Sequence, residues 1–190
     1  MRAAPASFLL VLLSLVSTAA WPDEYDDTVA LFKNAGQSAA FFDKSYGYAV
    51  FPTIGKGGLG VGAAHGSGRV YERGKYVGDA KMNQLSVGLQ AGGQAYSQIV
   101  FFEDERAFRE FTAGDFAFGA DIGAVAITAA ASASAGSKGQ TAGASGGKKD
   151  ARTAGKYNKG VAVFTLVKGG AMYEATVAGQ KFKYKARAAK

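Results

Sequence analysis

The sequence predicts an α+β fold, with a mainly antiparallel, glycine-rich β-sheet or barrel-like core, an N-terminal helical segment and one further helix near 104–113. Three observations lead to this prediction. Apolar residues recur at helical spacing after residue 23. Stretches within 46–102 and 161–185 alternate small or apolar residues with polar ones, as strands do. Many of the 27 glycines fall in these stretches, where they would weaken a helix.

Two aspartates are predicted to begin helices. The side chain of Asp23 can cap the first helix, and a carboxylate suits the positive end of the helix dipole. The apolar face of this helix is spaced at i, i+4 and i+7: Tyr25, Val29 and Phe32. Ser38 is predicted to cap a second, short helix. Asp104 is predicted to cap a further helix that ends at Gly114 and turns three residues inward: Ala107, Phe108 and Phe111.

The predicted strands are joined by turns that contain glycine. A strand that begins at Tyr46 is expected to end at Pro52. Residues 70–77 are expected to form a hairpin with Arg73-Gly74 near its turn. Gly169-Gly170 and Gly179-Gln180 are expected to separate three later strands: 161–167, 171–177 and 181–185. Residues 115–135 are rich in alanine, but the isoleucine, valine and glycine among them favour a close-packed strand over a helix.

The first twenty residues have the pattern of a cleaved secretory signal peptide. Arg2 supplies a positive start, residues 8–13 begin an apolar run that is too short to span a membrane, and small residues allow cleavage after Ala20. The predicted organisation is a signal peptide at 1–20 and one domain at 21–190, located in the periplasm or secreted. The absence of cysteine excludes a lipid-modified N-terminal cysteine, disulfides and thiolate metal sites.

The formal net charge of +7 is unevenly distributed. Residues 21–135 carry nine Lys or Arg against thirteen Asp or Glu, whereas residues 136–190 carry twelve against two. Residues 136–156 are rich in glycine, serine and lysine and are predicted to form a flexible insertion. A basic C-terminal part suggests an anionic partner such as a membrane surface, an acidic polysaccharide or nucleic acid, of which export disfavours nucleic acid.

Residues 55–60 (GKGGLG) match the GxGxxG pattern of a dinucleotide-binding loop. That loop requires a helix after it, but the glycines that follow would make a poor helix, so strands that bend or pack closely at glycine are the better interpretation. His65 is the only histidine. A triad of it with Asp79 and either Ser67 or Ser97 lacks the local motif of a serine nucleophile. We therefore predict no enzyme activity, nucleotide, metal or cofactor.

Several motifs, in order along the chain, resemble the SYLF domain family. They are residues 47–52 (GYAVFP), 55–58 (GKGG), 118–121 (FGAD), 157–160 (YNKG) and 168–175 (KGGAMYEA). The last of these resembles the exported bacterial branch of the family. The first motif, which leads to Pro52 and then Lys56, is the most specific, and the likeness covers nearly all of the chain after the signal peptide.

The resemblance implies a single α+β domain that binds lipids. Eukaryotic members of the family bind phosphoinositides, and some bind and bundle actin. In those members a basic amphipathic N-terminal helix contacts the membrane. The corresponding segment here carries one opposing lysine, Lys33, and four acidic residues: Asp23, Glu24, Asp26 and Asp27. The N-terminal helix of this chain is therefore not expected to enter a membrane.

Together these observations predict an exported, non-enzymatic protein that contacts anionic lipid head groups, phosphoinositide-like or other, at a membrane surface. A host target is a further expected partner if the protein is secreted. The residues predicted to contact the lipid are Lys56, Lys148, Lys149, Arg152, Lys156 and Lys159. Two alternatives stay open: a periplasmic carrier that encloses a hydrophobic ligand, and a structural or oligomeric envelope protein.

Overall fold

The computed structural model describes residues 23–118, 124–127 and 156–188, and for 124–127 and 171–177 only the backbone. The elements in chain order are α1 (Glu24–Asn34), α2 (Gly36–Phe42), β1 (Gly47–Glu72), β2 (Lys75–Phe102), α3 (Glu105–Thr112), β3 (Asp115–Phe118), β4 (Ala124–Ile127) and β5 (Val161–Ala186). The predicted signal peptide and nearly all of the predicted insertion lie outside the described residues. So do three predicted lipid-contacting residues: Lys148, Lys149 and Arg152.

The five strands form one sheet in the order β1-β2-β5-β3, with β4 paired to β5 off this path. All pairings are antiparallel except that between β4 and β5. The sheet is open, with β1 at one edge. The predicted α+β class, the N-terminal helices and the helix after Asp104 are confirmed.

The three long strands double back at the same level, so the sheet folds over into two layers. We call this level the fold line; it passes through Leu59, Ala91 and Tyr173, which are paired side by side. Glycines with positive φ lie near it on each strand: Gly60 at 71°, Gly92 at 125° and Gly170 at 93°. Such backbone conformations are readily adopted only by glycine, so these residues allow the strands to bend without ending.

Glycine also allows the two layers to approach each other. A Cβ added to Gly66 would lie 2.5 Å from the Ile54 side chain, and one added to Gly68 would lie 2.7 Å from the Val50 carbonyl oxygen. Residues 47–57 of β1 form part of the first layer, and residues 62–72 lie against them in the second. The prediction that the glycines mark bends and close approaches of strands is therefore confirmed.

Two hydrophobic cores lie on either side of the first layer. The core between the layers is closed at one end by Phe108 and Phe111 of α3. Its other members include Phe51, Ile54, Val70, Met82, Tyr96, Val100, Phe102 and Phe182. The second core lies beneath α1 and α2, where Phe32 and Phe41 pack on Val50, Phe101 and Phe164. α1 and α2 therefore cover the outer face of the first layer and leave most of the outer face of the second layer exposed.

Several local predictions are confirmed, and three are corrected. The Asp23 side chain accepts a hydrogen bond from the Tyr25 amide, and that of Asp104 accepts one from the Ala107 amide. The Arg73-Gly74 turn has φ values of 47° and 79°, typical of a two-residue type I′ hairpin turn. The first correction is that Ser38 does not cap α2, because it lies inside the helix and its hydroxyl donates to the Phe32 carbonyl at 2.6 Å.

The other two corrections concern strands predicted to be short. Gly169-Gly170 and Gly179-Gln180 are not turns, because β5 runs unbroken from Val161 to Ala186. Likewise β1 does not end at Pro52, where a bulge between Phe51 and Ile54 absorbs the proline and pairing then resumes. In each case continuous pairing with β2 holds the strand together, and glycine bends the chain without reversing it.

The start of α1 is fixed to the second layer by an ion pair between Asp23 and Arg69. The Arg69 guanidinium also lies over the Tyr25 ring, at 4.0 Å from its centroid. The hydrogen bond from Arg69 lowers the pKa of the Asp23 carboxyl from its ordinary value of 3.8. This pKa is lower in the folded protein than in the unfolded chain. The ion pair therefore stabilises the fold fully above the unfolded pKa, and this stabilisation is lost as the pH falls through the folded pKa.

We expect Asp23→Asn to lower the melting temperature at neutral pH and to leave it unchanged in strong acid, where Asp23 is protonated in both states. Thermal unfolding followed by circular dichroism at neutral and acidic pH measures this difference. The matched control is Asp27→Asn, which removes a carboxylate from the same helical turn and keeps the contact with Arg69. If Asp23→Asn lowered the melting temperature equally at both pH values, the stabilisation could not come from the ion pair between Asp23 and Arg69.

Candidate functional site

Four lysines form a basic row on the outer face of the second layer. Lys181, Lys183 and Lys185 are exposed on β5, because the buried Phe182 fixes the alternation of this strand. Lys81 of β2 is exposed directly opposite Lys183. Paired residues of neighbouring strands project from the same face of a sheet, so these side chains share one surface. We call Lys81, Lys181, Lys183 and Lys185 the lysine ladder.

The ladder keeps an excess of positive charge. Among the side chains that the structure describes, two carboxylates neighbour it: Asp79 lies opposite Lys185, and Asp115 of β3 lies opposite Lys183. Four lysines against two carboxylates leave a net charge of +2. Asp79 also accepts a hydrogen bond of 2.7 Å from Tyr76, which raises the pKa of that tyrosine. Like charges directly opposite each other destabilise a sheet, so the pairing of Lys81 with Lys183 is unfavourable until an anion neutralises it.

Beyond the ladder, the same face becomes apolar as it approaches the fold line. The exposed residues of β2 change from Lys81 and Asn83 to large aliphatic side chains. Leu85, Val87 and Leu89 are 70%, 65% and 71% exposed, and on β1 Leu59 and Val61 are 83% and 62% exposed. Val61 is paired with Val87, so the two strands contribute to one patch. We call these five residues the apolar tip; contiguous exposed apolar surface of this kind marks an interaction site.

The interior behind the apolar tip is polar. Gln90 is buried, and its amide nitrogen donates to the carbonyl oxygens of Gly60 and Ser86, each at 3.1 Å. The Ser86 hydroxyl donates to the Gln90 side-chain oxygen at 2.9 Å. An added Cβ at Gly62 would clash with Gln90, so the glycine makes room for this glutamine. In this part of the sheet, polar side chains point inward and aliphatic ones point outward.

Further glutamines connect the two layers. The Gln180 amide nitrogen donates to the side-chain oxygens of Gln84 at 2.8 Å and Gln98 at 3.2 Å. Gln98 lies in the first layer and is fully buried. Across the described part of the chain, no buried side-chain nitrogen or oxygen lacks a hydrogen-bond partner. The polar interior is thus satisfied by the protein itself and places no strain on the fold.

Of the lipid-contacting residues predicted from sequence, three lie in the described part of the chain, and the fold places Lys56 far from the other two. Lys56 is half-buried in β1, four residues before Gly60, and lies close to the fold line. Lys156 and Lys159 are exposed just before β5, at the end of the first layer that the helices cover. There Tyr157 packs on Phe41 of α2 with ring centroids 5.1 Å apart. About 40 Å of strand separates this end from the fold line, at about 3.4 Å per residue.

The residues considered for nucleotide binding and catalysis lie within strands or form hydrogen bonds with neighbouring strands. The glycine run at 55–60 lies within β1, which continues as a strand to Glu72 where a dinucleotide site would require a helix. His65 is exposed, and its Nδ1 forms a hydrogen bond of 2.8 Å with the Asn83 side chain. Ser97 is buried, and its hydroxyl donates to the Pro52 carbonyl at 2.7 Å. Neither contact belongs to a triad with Asp79.

Sequence reasoning missed both the lysine ladder and the apolar tip. The alternation of lysines at 181, 183 and 185 was a usable signal, because alternate residues of a strand share a face. The alternation of Leu85, Val87 and Leu89 was equally visible. Its apolar side would ordinarily be assigned to the core, and only the structure shows that it faces outward. Within the described residues, no helix is both long and apolar enough to span a membrane.

Comparisons with known proteins place these features in context. Residues 83–189 match the family model for Ysc84, described as Las17-binding protein actin regulator. The match includes most of β2, all of α3 and β5, the whole apolar run of β2 and three of the four ladder lysines. The chain is also 29% identical over 158 residues to Beta cell expansion factor A from Aeromonas veronii. That alignment covers 81% of this chain and 51% of the relative, so the chain spans about half the length of this curated relative.

Proposed function

We propose that this chain is an exported, non-enzymatic protein that binds anionic lipid surfaces peripherally. It belongs to the Ysc84 family, which is also called the SYLF domain family and is associated with lipid binding. The lysine ladder is the observation that supports this most directly. It lies on an exposed face of a sheet, keeps a net charge of +2 and holds Lys81 opposite Lys183. An anionic surface would neutralise this row.

The strength of this contact follows from membrane electrostatics. Each lysine near an anionic surface contributes about 1 kcal/mol, so four lysines supply at most ~4 kcal/mol. This attraction is screened within about 10 Å at ordinary salt, so binding should weaken as the ionic strength rises. The predicted contacts at Lys148, Lys149, Arg152, Lys156 and Lys159 would add to it only if that segment reaches the same surface.

We expect the protein from Trp21 onward to float with vesicles of phosphatidylcholine and phosphatidylglycerol at low salt. It should not float with these vesicles at high salt, nor with vesicles of phosphatidylcholine alone. Neutralising the ladder by Lys→Gln at 81, 181, 183 and 185 should weaken binding to the anionic vesicles by roughly a hundredfold. The matched control also removes four charges, at Lys148, Lys149, Arg152 and Lys156. It should weaken binding much less.

The outcomes separate the open alternatives. Equal or greater loss in the control would move the contact from the ladder to the segment before β5. Binding that does not respond to salt would contradict an electrostatic contact. A folded protein that binds neither kind of vesicle would contradict the proposed function. Lipid that is retained through purification and seen by native mass spectrometry would then favour a carrier.

A further inference from the structure

We propose that the apolar tip enters the hydrocarbon region of one leaflet, while the lysine ladder stays at the level of the head groups. This inference rests on the proposed function and adds how deeply, and in which orientation, the protein enters the bilayer. The membrane-contacting element would be the folded end of the sheet, and α1 would play no part in it. Leu59, Val61, Leu85, Val87 and Leu89 would be immersed in lipid.

The distribution of polar and apolar side chains around the tip supports this orientation. A sheet in a water-soluble protein turns its apolar residues toward the core. Here Gln84, Ser86 and Gln90 point into the protein, and the intervening Leu85, Val87 and Leu89 point outward. The inverted arrangement is stable in lipid, since the inward polar groups are hydrogen-bonded and the outward side chains match the hydrocarbon.

The dimensions of the tip fit a single leaflet. From Leu85 to Ala91, the partner of Leu59, β2 rises by about 20 Å at ~3.4 Å per residue. A strand tilted by ~45° fits this length into the ~15 Å of hydrocarbon that one leaflet contributes. Lys81 lies four residues before Leu85, a further ~14 Å along the strand. The lysine side chain would therefore meet the phosphates when the tip is immersed. β2 pairs with both β1 and β5 here, so its backbone groups are satisfied inside the lipid.

A lipid surface fits this face better than a second copy of the chain does. The ladder and the tip share one face, so two copies joined through their tips would bring the lysines of both ladders close together. Like charges held close at an interface are unfavourable, and the side chains that the structure describes on this face include no matching acidic row. An anionic bilayer offers hydrocarbon for the tip and negative charge for the ladder at the spacing found here.

We would measure depth with tryptophan fluorescence and lipids brominated at defined positions of the acyl chain. Trp21 is the only tryptophan, so Trp21→Phe gives a silent background. In that background, Leu85→Trp should be strongly quenched by acyl-chain bromine in anionic vesicles. Leu31→Trp is the matched control, because Leu31 is also an exposed leucine but lies on α1. The fluorescence of this control tryptophan should be the same with brominated vesicles as in buffer without vesicles.

A second pair of variants tests the energetic contribution of the tip. Leu85→Gln with Val87→Gln should weaken vesicle binding by at least about tenfold, because each substitution replaces aliphatic surface that the lipid would bury by an amide. Leu31→Gln should change binding by less than twofold. Both variants should keep the melting temperature of the unaltered protein, since the three side chains are already exposed to water.

The results distinguish the two proposals. Salt-sensitive flotation with no quenching at position 85 would overturn insertion and leave peripheral binding standing. Binding unaffected by the double glutamine variant would also overturn insertion. Absence of flotation in the unaltered protein would overturn the proposed function and this inference with it. A dimer that becomes a monomer in the double variant, with position 85 unquenched, would show that a second copy covers the tip.

Discussion

Gly68→Val is expected to destabilise the protein by about 3 kcal/mol, the upper end of what overpacking costs in a tight core. A Cβ at this position would lie 2.5 Å from the Phe51 ring and 2.7 Å from the Val50 carbonyl oxygen. The ring could move slightly, but the carbonyl belongs to a paired strand. The second layer would have to separate from the first, and the core between them would open.

Chemical denaturation followed by circular dichroism measures the change in the free energy of unfolding. Gly55→Val is the matched control in the same strand, because an added Cβ at Gly55 would meet nothing within 4 Å. It should change stability by less than about 1 kcal/mol, since valine suits an exposed strand position. Equal losses in the two variants would show that chain flexibility, and not the approach of the layers, determines the role of these glycines.

Phe182→Ala is expected to cost 3–5 kcal/mol, as is typical of a buried phenylalanine. This residue is the aromatic centre of the core between the layers. Its ring lies 5.2–5.6 Å from three others, those of Phe51, Phe111 and Phe118. Truncation would remove contacts with both layers and α3 and leave a cavity that a close-packed core cannot fill.

The same denaturation experiment tests this prediction with two comparisons. Phe182→Leu keeps most of the apolar volume and should cost distinctly less. Lys183→Ala changes the neighbouring exposed residue of the ladder and should alter stability by no more than about 0.5 kcal/mol. A loss of under 1 kcal/mol for Phe182→Ala would contradict its assignment to the core. It would also remove the reason for the outward alternation of the ladder lysines.

Local chemistry could be predicted from the sequence wherever neighbouring residues decide the structure. Asp23 and Asp104 cap helices because their short carboxylates reach the free amides of the first turn. Arg73-Gly74 forms the hairpin turn because glycine readily adopts a positive φ. The family resemblance, carried by ordered motifs, is likewise confirmed by the match over residues 83–189. The predicted export and the predicted contacts of the segment before β5 remain predictions.

Features that depend on distant parts of the chain could not be predicted. Gly169-Gly170 has the composition of a turn. In the structure it is part of a continuous strand, because it pairs with β2 and Gly170 only bends the chain near the fold line. The partners of the candidate site are equally distant. Lys81 and Lys183 are about a hundred residues apart in sequence, and only the register of β2 with β5 places them side by side.

The sequence by itself determined the caps of α1 and α3, the hairpin turn, the alternation of each strand and the family. Those properties arise from a few adjacent residues. Only the tertiary structure decided which face of each strand is buried. For β2 it buried Gln84, Ser86 and Gln90 and exposed Leu85, Val87 and Leu89, the opposite of what hydrophobicity alone predicts. The physical reason is the fold line: once the sheet doubles over, the narrow interior accepts glycine and hydrogen-bonded glutamine, and the bulky aliphatic side chains are left outside.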